Sequence, residues 1–318
     1  MRLALSRNSS VVHANGATLS MFPFARLANK PFLWTHNGYQ VSCVDGLGWA
    51  YGRPAPMTPL ASLDFHRRHR GWRYCAREAV KLGVRRFVAS KADLNLAGSE
   101  WVARRQPLPN QLVAYNPYPL RRFRAVQDTG EYSYDFAYVG RLVGEKGLPT
   151  LIRAFHRLLS DPAFGDKKLA VIGSGDLRSE LEALTESLNL TANVDFLGPR
   201  HGDALVEVMG RARVGIVPSV WEEPYGGVTL EWLSAGRSVI VSEAGGHAEC
   251  AGGAALRFPN GDHEALFACM LMVLSDPELV QRQRQIASSR IEDFDEMKLT
   301  ENFVRMYELA ISRRHRSV

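Results

Sequence analysis

The sequence predicts an α/β protein of two domains, the C-terminal one built on a parallel sheet. Three observations predict this. The chain has 318 residues, more than one ordinary core holds and suited to two domains of about 150 residues each. Its second half alternates short apolar runs with helical stretches of about ten residues or more, the pattern of βαβ units. Those runs end in Gly or another turn residue, where a parallel strand passes into a loop. An apolar fraction of 46% supplies an ordinary core.

In chain order, VVHAN, PFLWTHN and RFVAS read as strands of the first half. QVSCVDGLGWAYGRPAPMTP is rich in Gly and Pro and reads as a long loop, a feature that is often functional. Arg67, Arg68, His69, Arg70, Arg73, Arg77, Lys81, Arg85 and Arg86 then crowd one segment of a chain whose formal charge is +6. Such a segment attracts phosphates, acidic lipids or nucleic acid without base specificity, although a solvated helix face has the same composition. Phe65, Trp72 and Tyr74 are interleaved there, which favours a lipid head-group region.

The polar stretch from Ala125 to Ser133 reads as the linker, which puts the domains at 1–130 and 131–294. FAYVG, LAVIGSG, VDFLG, VGIVPS, SVIVSEAGG and ALRF are the strands of the second half. LPTLIRAFHRLL and DLRSELEALTESL are helices between them. Residues 295–318 form a closing amphipathic helix with Leu299, Phe303, Met306, Tyr307 and Ala310 on one face. Arginines at its end suit the helix dipole.

Several classes are a poor fit. No stretch approaches the roughly 18 apolar residues of a membrane-spanning helix. The opening MRLALSRNSS turns polar after three apolar residues, a poor secretory signal, so a cytoplasmic location is expected. Cys43, Cys75, Cys250 and Cys269 form no CxxC pair and are expected as reduced, buried or half-buried thiols. The GSG at Gly173–Gly175 lacks the third glycine of a dinucleotide fingerprint, and VDFLG ends without a carboxylate. Asp293 and Asp295 lie outside the strand-end loops and are expected to cap helices rather than bind metal.

In parallel sheets ligands bind beyond the carboxyl ends of the strands, so chemistry is sought in those loops. After IVPS comes an acidic loop, and Gly226 and Gly227 then open a helix. A helix N-terminus carries unpaired N–H groups and partial positive charge and binds phosphate, and glycines permit close approach. Glu223 precedes that terminus, and Glu231 lies about a turn into the helix. A carboxylate accepts two hydrogen bonds and suits adjacent hydroxyls of a ribose or hexose. Arg141 and Lys146 follow FAYVG and flank Gly144, where two cations could neutralise a diphosphate. Gly245, Gly246 and Glu249 form another loop that could face a sugar or phosphate, with a tight turn as the simpler reading.

Together, VGRLVGEKG, VIGSGD, VDFLG, VGIVPS, the E-x7-E pair Glu223 and Glu231, LEWLSAGRSVIVSEAGGHAE and ALRFPNGD resemble the donor domain of the retaining glycosyltransferases of family 4. The resemblance covers residues 134–275 and implies the GT-B fold, two Rossmann-like domains facing a cleft. It implies that Arg141 and Lys146 bind the diphosphate and that Glu223 contacts the transferred sugar. Gly226, Gly227 and Val228 would cradle the distal phosphate, Glu231 the ribose, and Gly173 and Leu197 the base, with Gly140 and Tyr225 completing the donor set.

The first half matches less fully. VVHANG and FLWTHNG resemble two later strands of the acceptor domain, and His36 matches a histidine across the cleft from the donor. RFVASKADLNLA resembles the strand and helix that follow. The last helix resembles one that packs back on the first domain. The opening strand, Gly-rich loop and helix of the family are expected to be missing, leaving the first domain incomplete.

The resemblance implies transfer of a hexose from a nucleotide diphosphate sugar to an acceptor hydroxyl, with no metal or other cofactor, in glycan, polysaccharide or glycolipid synthesis. Its acceptor would be a sugar or lipid-linked glycan. Contact with the anionic inner face of a membrane is expected, and nucleic acid is not expected as a partner. The alternative is a non-catalytic nucleotide-sugar-binding subunit of a larger glycosyltransferase assembly. Epimerase and phosphorylase readings are further rivals. An epimerase would need no acceptor, and no motif suggests a pyridoxal-bearing lysine.

Overall fold

The computed structural model of the protein describes residues 10–16, 18–126 and 130–316. It falls into two units, Met1–Pro117 with Glu296–Val318, and Tyr118–Asp295.

The first unit begins with β1 (Val12–Asn15), α1 (Phe22–Leu27) and β2 (Phe32–His36). The Gly/Pro-rich segment that follows is loop, folded around a small hairpin of β3 (Trp49–Ala50) and β4 (Arg53–Pro54). Asp45 organises it, its Oδ1 accepting from the backbone N–H of Leu47 and of Gly48 at 2.8 and 2.6 Å. Next come α2 (Pro59–Lys91), β5 (Leu94–Ala97), α3 (Glu100–Arg105) and β6 (Gln111–Val113). The four strands pair in the order β1-β2-β5-β6, all parallel. Every residue of β2 and β5 is buried, as expected of a parallel sheet covered on both faces.

One expected strand is a helix. RFVAS forms the last full turn of α2, and the strand is Leu94–Ala97 instead. The aromatic and β-branched pair Phe87–Val88 reads as strand in a short window. Over a longer one, the buried positions Glu78, Leu82 and Ala89 recur at helical spacing, and that face wins. α2 bends at Gly71, whose φ of 81° leaves the helical region.

The second unit contains β7 (Tyr134–Val139), α4 (Leu148–Leu159), β8 (Leu169–Ile172), α5 (Arg178–Ser187), β9 (Val194–Gly198) and α6 (Gly202–Gly210). It continues with β10 (Ala212–Val217), α7 (Gly227–Ser234), β11 (Ser238–Ser242), α8 (Gly246–Ala251) and β12 (Ala255–Phe258). The helices α9 (His263–Ser275) and α10 (Pro277–Glu292) close it. Every strand read from the second half is present. The sheet runs β12-β11-β10-β7-β8-β9, and each pairing is parallel. Its core includes Phe136, Ile152, Phe155, Val214, Ile240 and Met270, each fully buried. The chain leaves β7 toward β8 on one side and returns to β10 on the other. The crevice between β7 and β10 is therefore the switch point where such sheets bind ligands.

The last helix, α11 (Glu296–Arg316), belongs to the first unit. Its expected apolar face is the one it buries: Leu299 and Ala310 are 3% and 0% exposed. Phe303, Met306 and Tyr307 pack with Leu33, Leu94 and Leu96 of the sheet.

The boundary differs from the expected 130. Residues 118–126 pack with the second unit: Phe123 is 3% exposed, and the Leu120 carbonyl accepts from the Ser234 hydroxyl at 3.0 Å. A composition shift marks the polar stretch, whereas side-chain packing places the junction at Pro117. Of the expected linker, residues 127–129 lie outside the described residues.

Candidate functional site

Two loops at the switch point, with the helix that follows the second, carry most of the candidate residues. The loop after β7 runs through Gly140 and Arg141 into the 3-10 turn Gly144–Lys146. The loop after β10 runs from Pro218 to Gly226, the N-cap of α7. The Val220 N–H donates to the Glu145 carbonyl at 3.0 Å and ties the two loops together. The third loop, after β8, requires its glycine. Gly173 has φ 147°, and a Cβ there would lie 1.8 Å from the Gly140 carbonyl oxygen. No side chain fits between these two strand ends.

Lys146 Nζ donates to Glu223 Oε1 at 2.8 Å. Ser219 Oγ donates to the same oxygen. Burial alone would raise the Glu223 pKa, but the Lys146 charge and these hydrogen bonds outweigh it and hold the carboxyl below its ordinary value. Glu223 is thus an ionised carboxylate that is only 8% exposed. Arg141 faces outward, its side chain 65% exposed and its guanidinium 3.1 Å from Glu145. The Tyr138 hydroxyl sits under this cluster and donates to the Arg141 carbonyl at 2.7 Å.

The Gly-Gly pair does begin a helix. Gly226 is the N-cap of α7 and Gly227 its first residue. A Cβ on Gly226 would lie 2.6 Å from the His247 Cα, so the first turn of α7 is seated directly on α8. Tyr225 and Val228 flank the pair and are half-buried. Glu231, one turn on, is 7% exposed, and Oε1 accepts from the Tyr118 hydroxyl at 2.8 Å. Burial raises its pKa, opposed by the Tyr118 hydrogen bond and the Arg122 charge.

A cavity of about 290 Å³ opens at the carboxyl ends of β7, β8 and β9. Gly140, Arg141, Gly173 and Glu231 line it, together with Ser174, Pro199, Arg200, His201 and Leu205. Lys146 and Glu223 form the adjoining ion pair rather than its wall. Leu197 is a half-buried residue of β9 and is not among the cavity residues; the segment just after it, Pro199–His201, is.

His36 belongs to the first unit, at the end of β2. It is fully buried, with Nε2 3.0 Å from Asn95 Oδ1 and its ring 4.3 Å from that of Trp34. Burial lowers its pKa to about 4, despite the Asn95 hydrogen bond, so the imidazole is neutral at pH 7. Beside it the Asn37 amide donates to Asn15, and the Asn116 amide to Asn37 Oδ1 at 3.1 Å.

Sequence reasoning missed Tyr118, Ser219 and His247. Ser219 ends the VGIVPS run but was not singled out in it, and Tyr118 lies 113 residues from the carboxylate it serves. His247 is buried beneath the second Gly-Gly loop, its Nε2 2.8 Å from the Ser242 hydroxyl. The four cysteines are free thiols, three buried and Cys75 half-buried. Among the described residues, no group of three or more His, Cys, Asp or Glu could hold a metal ion. No helix among them is long and apolar enough to cross a membrane.

Two Rossmann-like units, with a crevice at the β7/β10 switch of the second, define the α/β GT-B class of fold. The chain belongs to the glycosyl transferases group 1 family, whose model matches residues 121–290. It is 41% identical over 126 residues to an uncharacterised glycosyltransferase of Methanocaldococcus jannaschii, covering 40% of this chain and 30% of that one. Curated relatives are matched over only 26–42% of their own length. Among solved structures, a glycosyltransferase from Rickettsia africae superposes with a TM-score of 0.71 at 15% identity, covering 98% of this chain and 79% of that one. Anabaena HepE, solved with UDP and glucose, gives 0.66 at 18% identity, covering 93% and 77%.

Proposed function

We propose that the protein is a retaining glycosyltransferase of family 4 that moves a hexose from a nucleotide diphosphate sugar to an acceptor hydroxyl. One observation carries this reading. Arg141 and Glu231, assigned to diphosphate and ribose, line a single cavity at the carboxyl ends of β7, β8 and β9, and Lys146 and Glu223 pair in the neighbouring strand-end loops. The UDP bound by HepE supports a nucleotide diphosphate as ligand.

In the proposed reaction the bond between the anomeric carbon and the diphosphate oxygen breaks. The acceptor oxygen bonds that carbon on the same face, and its proton passes to the departing phosphate. Negative charge grows on the leaving diphosphate. Arg141, Lys146 and the N-terminus of α7 at Gly226–Val228 supply fixed positive potential there. These groups carry the counter-charge, so the reading assigns no metal. Glu223 accepts from hydroxyls of the transferred sugar, and its pairing with Lys146 couples sugar and diphosphate recognition. Gly140, Gly173 and the residues after Leu197 enclose the base, while Tyr225 borders the sugar. His36, neutral, is assigned to the acceptor side as a hydrogen-bonding group.

The acceptor reading is a sugar or lipid-linked glycan at the cytoplasmic face of an anionic membrane. Its support is α2, where Trp72, Val80 and Phe87 are 70%, 68% and 58% exposed amid Arg73, Arg77 and Lys81. Sedimentation with anionic and neutral vesicles tests that contact, and equal absence from both pellets defeats it.

The central test is a thermal-shift screen of nucleotide diphosphate sugars, because a ligand bound only by the folded chain raises its melting temperature. A hit is then assayed for transfer. Binding with no transfer or hydrolysis by the purified chain would favour the non-catalytic subunit. Turnover of donor without any acceptor, and without hydrolysis, would favour an epimerase.

A further inference from the structure

We propose that Tyr118 is a positioning residue of the donor site, its hydroxyl holding one oxygen of Glu231 so that the other accepts from the ribose of the bound nucleotide. The proposal rests on the donor-site reading above and adds to it a residue from the start of the second unit.

The geometry is specific. Tyr118 is the one side chain that donates to Glu231 among the described residues, at 2.8 Å to Oε1. A buried carboxylate with a single donor is under-satisfied, since its two oxygens have about four acceptor sites. Glu231 lines the cavity, where water or a ligand can supply further donors. A ribose brings two adjacent hydroxyls.

The ring has a second contact. A Cβ on Gly227 would lie 3.2–3.3 Å from Cε2, Cζ and Oη of Tyr118. The phenol therefore packs on the first turn of α7, the turn assigned to phosphate. Burial and the adjacent Glu231 charge raise the Tyr118 pKa well above its ordinary value, so the hydroxyl stays protonated and acts as a donor.

The backbone is suited to hold it. Tyr118 lies between Pro117 and Pro119. Proline fixes its own φ and biases the residue before it toward extended conformations, so this stretch has few alternatives. The Tyr118 carbonyl also accepts from the Leu120 N–H at 2.8 Å. Tyr118 thus reaches Glu231 from a stiff segment, at little entropic cost on binding.

The experiment is calorimetry on the full chain. Wild-type protein is first titrated with UDP, ADP and GDP, and the tightest binder is then compared with its 2′-deoxy counterpart. The variants are Tyr118→Phe, which keeps the ring on Gly227, Glu231→Gln, and the double variant. Tyr118→Phe should weaken the ribonucleotide about five- to tenfold, the worth of one typical hydrogen bond. It should weaken the deoxy form less, so that discrimination narrows. In the Glu231→Gln background it should have little further effect. An unchanged ribo-to-deoxy ratio, or the same loss with Glu231→Gln already present, overturns the proposal. Failure of the wild-type chain to bind any of the three nucleotides overturns the donor-site reading itself, which the wild-type titration reports separately from the variant ratio.

Discussion

The Lys146 ammonium and the Glu223 carboxylate lie 2.8 Å apart, joined across 77 residues of sequence by the meeting of two strand-end loops. Their side chains are 18% and 11% exposed, so the pair is largely withdrawn from water. That contact organises the site and sets the first prediction.

Lys146→Ala leaves a buried carboxylate without its counter-charge. The expected cost is about 2 kcal/mol of stability, read from urea unfolding at pH 7. The sign with pH follows from the lowered pKa of Glu223. Its contribution is present above the unfolded carboxylate pKa and is lost as pH falls through the depressed folded value. The gap between wild type and variant should therefore close below about pH 4. A gap that persists unchanged at acid pH would mean that Lys146 stabilises through packing.

Arg141→Ala should separate activity from stability. The side chain is 65% exposed and pairs with Glu145, so the melting midpoint should move little. Turnover of the donor found in the screen should fall about a hundredfold, the scale for losing one electrostatic donor to a developing oxyanion. Arg141→Lys should recover only part of it, because an ammonium cannot reproduce the planar fork. Full activity in Arg141→Ala would remove the diphosphate role.

Glu231→Ala should weaken binding of the free nucleotide about tenfold or more by calorimetry. The wild-type affinity has a matching pH dependence. Burial raises the Glu231 pKa, so the acceptor carboxylate is lost as pH falls, starting above the ordinary carboxylate range. Nucleotide affinity should decline there in wild type and stay flatter in Glu231→Gln. Parallel pH curves for the two proteins would assign the decline to groups other than Glu231.

The two glycines that open α7 should tolerate alanine differently. At Gly226 the new Cβ would lie 2.6 Å from the His247 backbone, so Gly226→Ala should cost about 2 kcal/mol or more by overpacking. At Gly227 it would meet the Tyr118 ring at 3.2 Å, a contact a side chain can relieve. Gly227→Ala should keep most of its stability while losing nucleotide affinity. Equal melting temperatures for both variants would contradict the seating of α7 on α8.

Much of the site was legible because its signals are local. A buried strand, an acidic loop and two glycines mark the start of a helix, and they place Glu223 before its N-terminus and Glu231 within it. Arg141 and Lys146 were legible as cations at a strand end, but not as different kinds of group. Both are in ion pairs, Arg141 with Glu145 at the surface and Lys146 with Glu223 largely withdrawn from water, a difference that arises where the two loops meet. Leu197 was placed by its position in a motif, whereas the cavity is lined by the segment just beyond it. RFVAS misled because five residues are too few to tell a buried helix turn from a strand.

The sequence by itself determined the order of strands and helices in the second unit and the loops that end them, because side-chain periodicity and backbone preference act over a few residues. Only the tertiary structure decided that the crevice falls between β7 and β10, that Lys146 meets Glu223, and that Tyr118 reaches Glu231 from 113 residues away. Such contacts depend on how whole elements stack, and burial and electrostatics between distant segments leave no period in the chain that makes them.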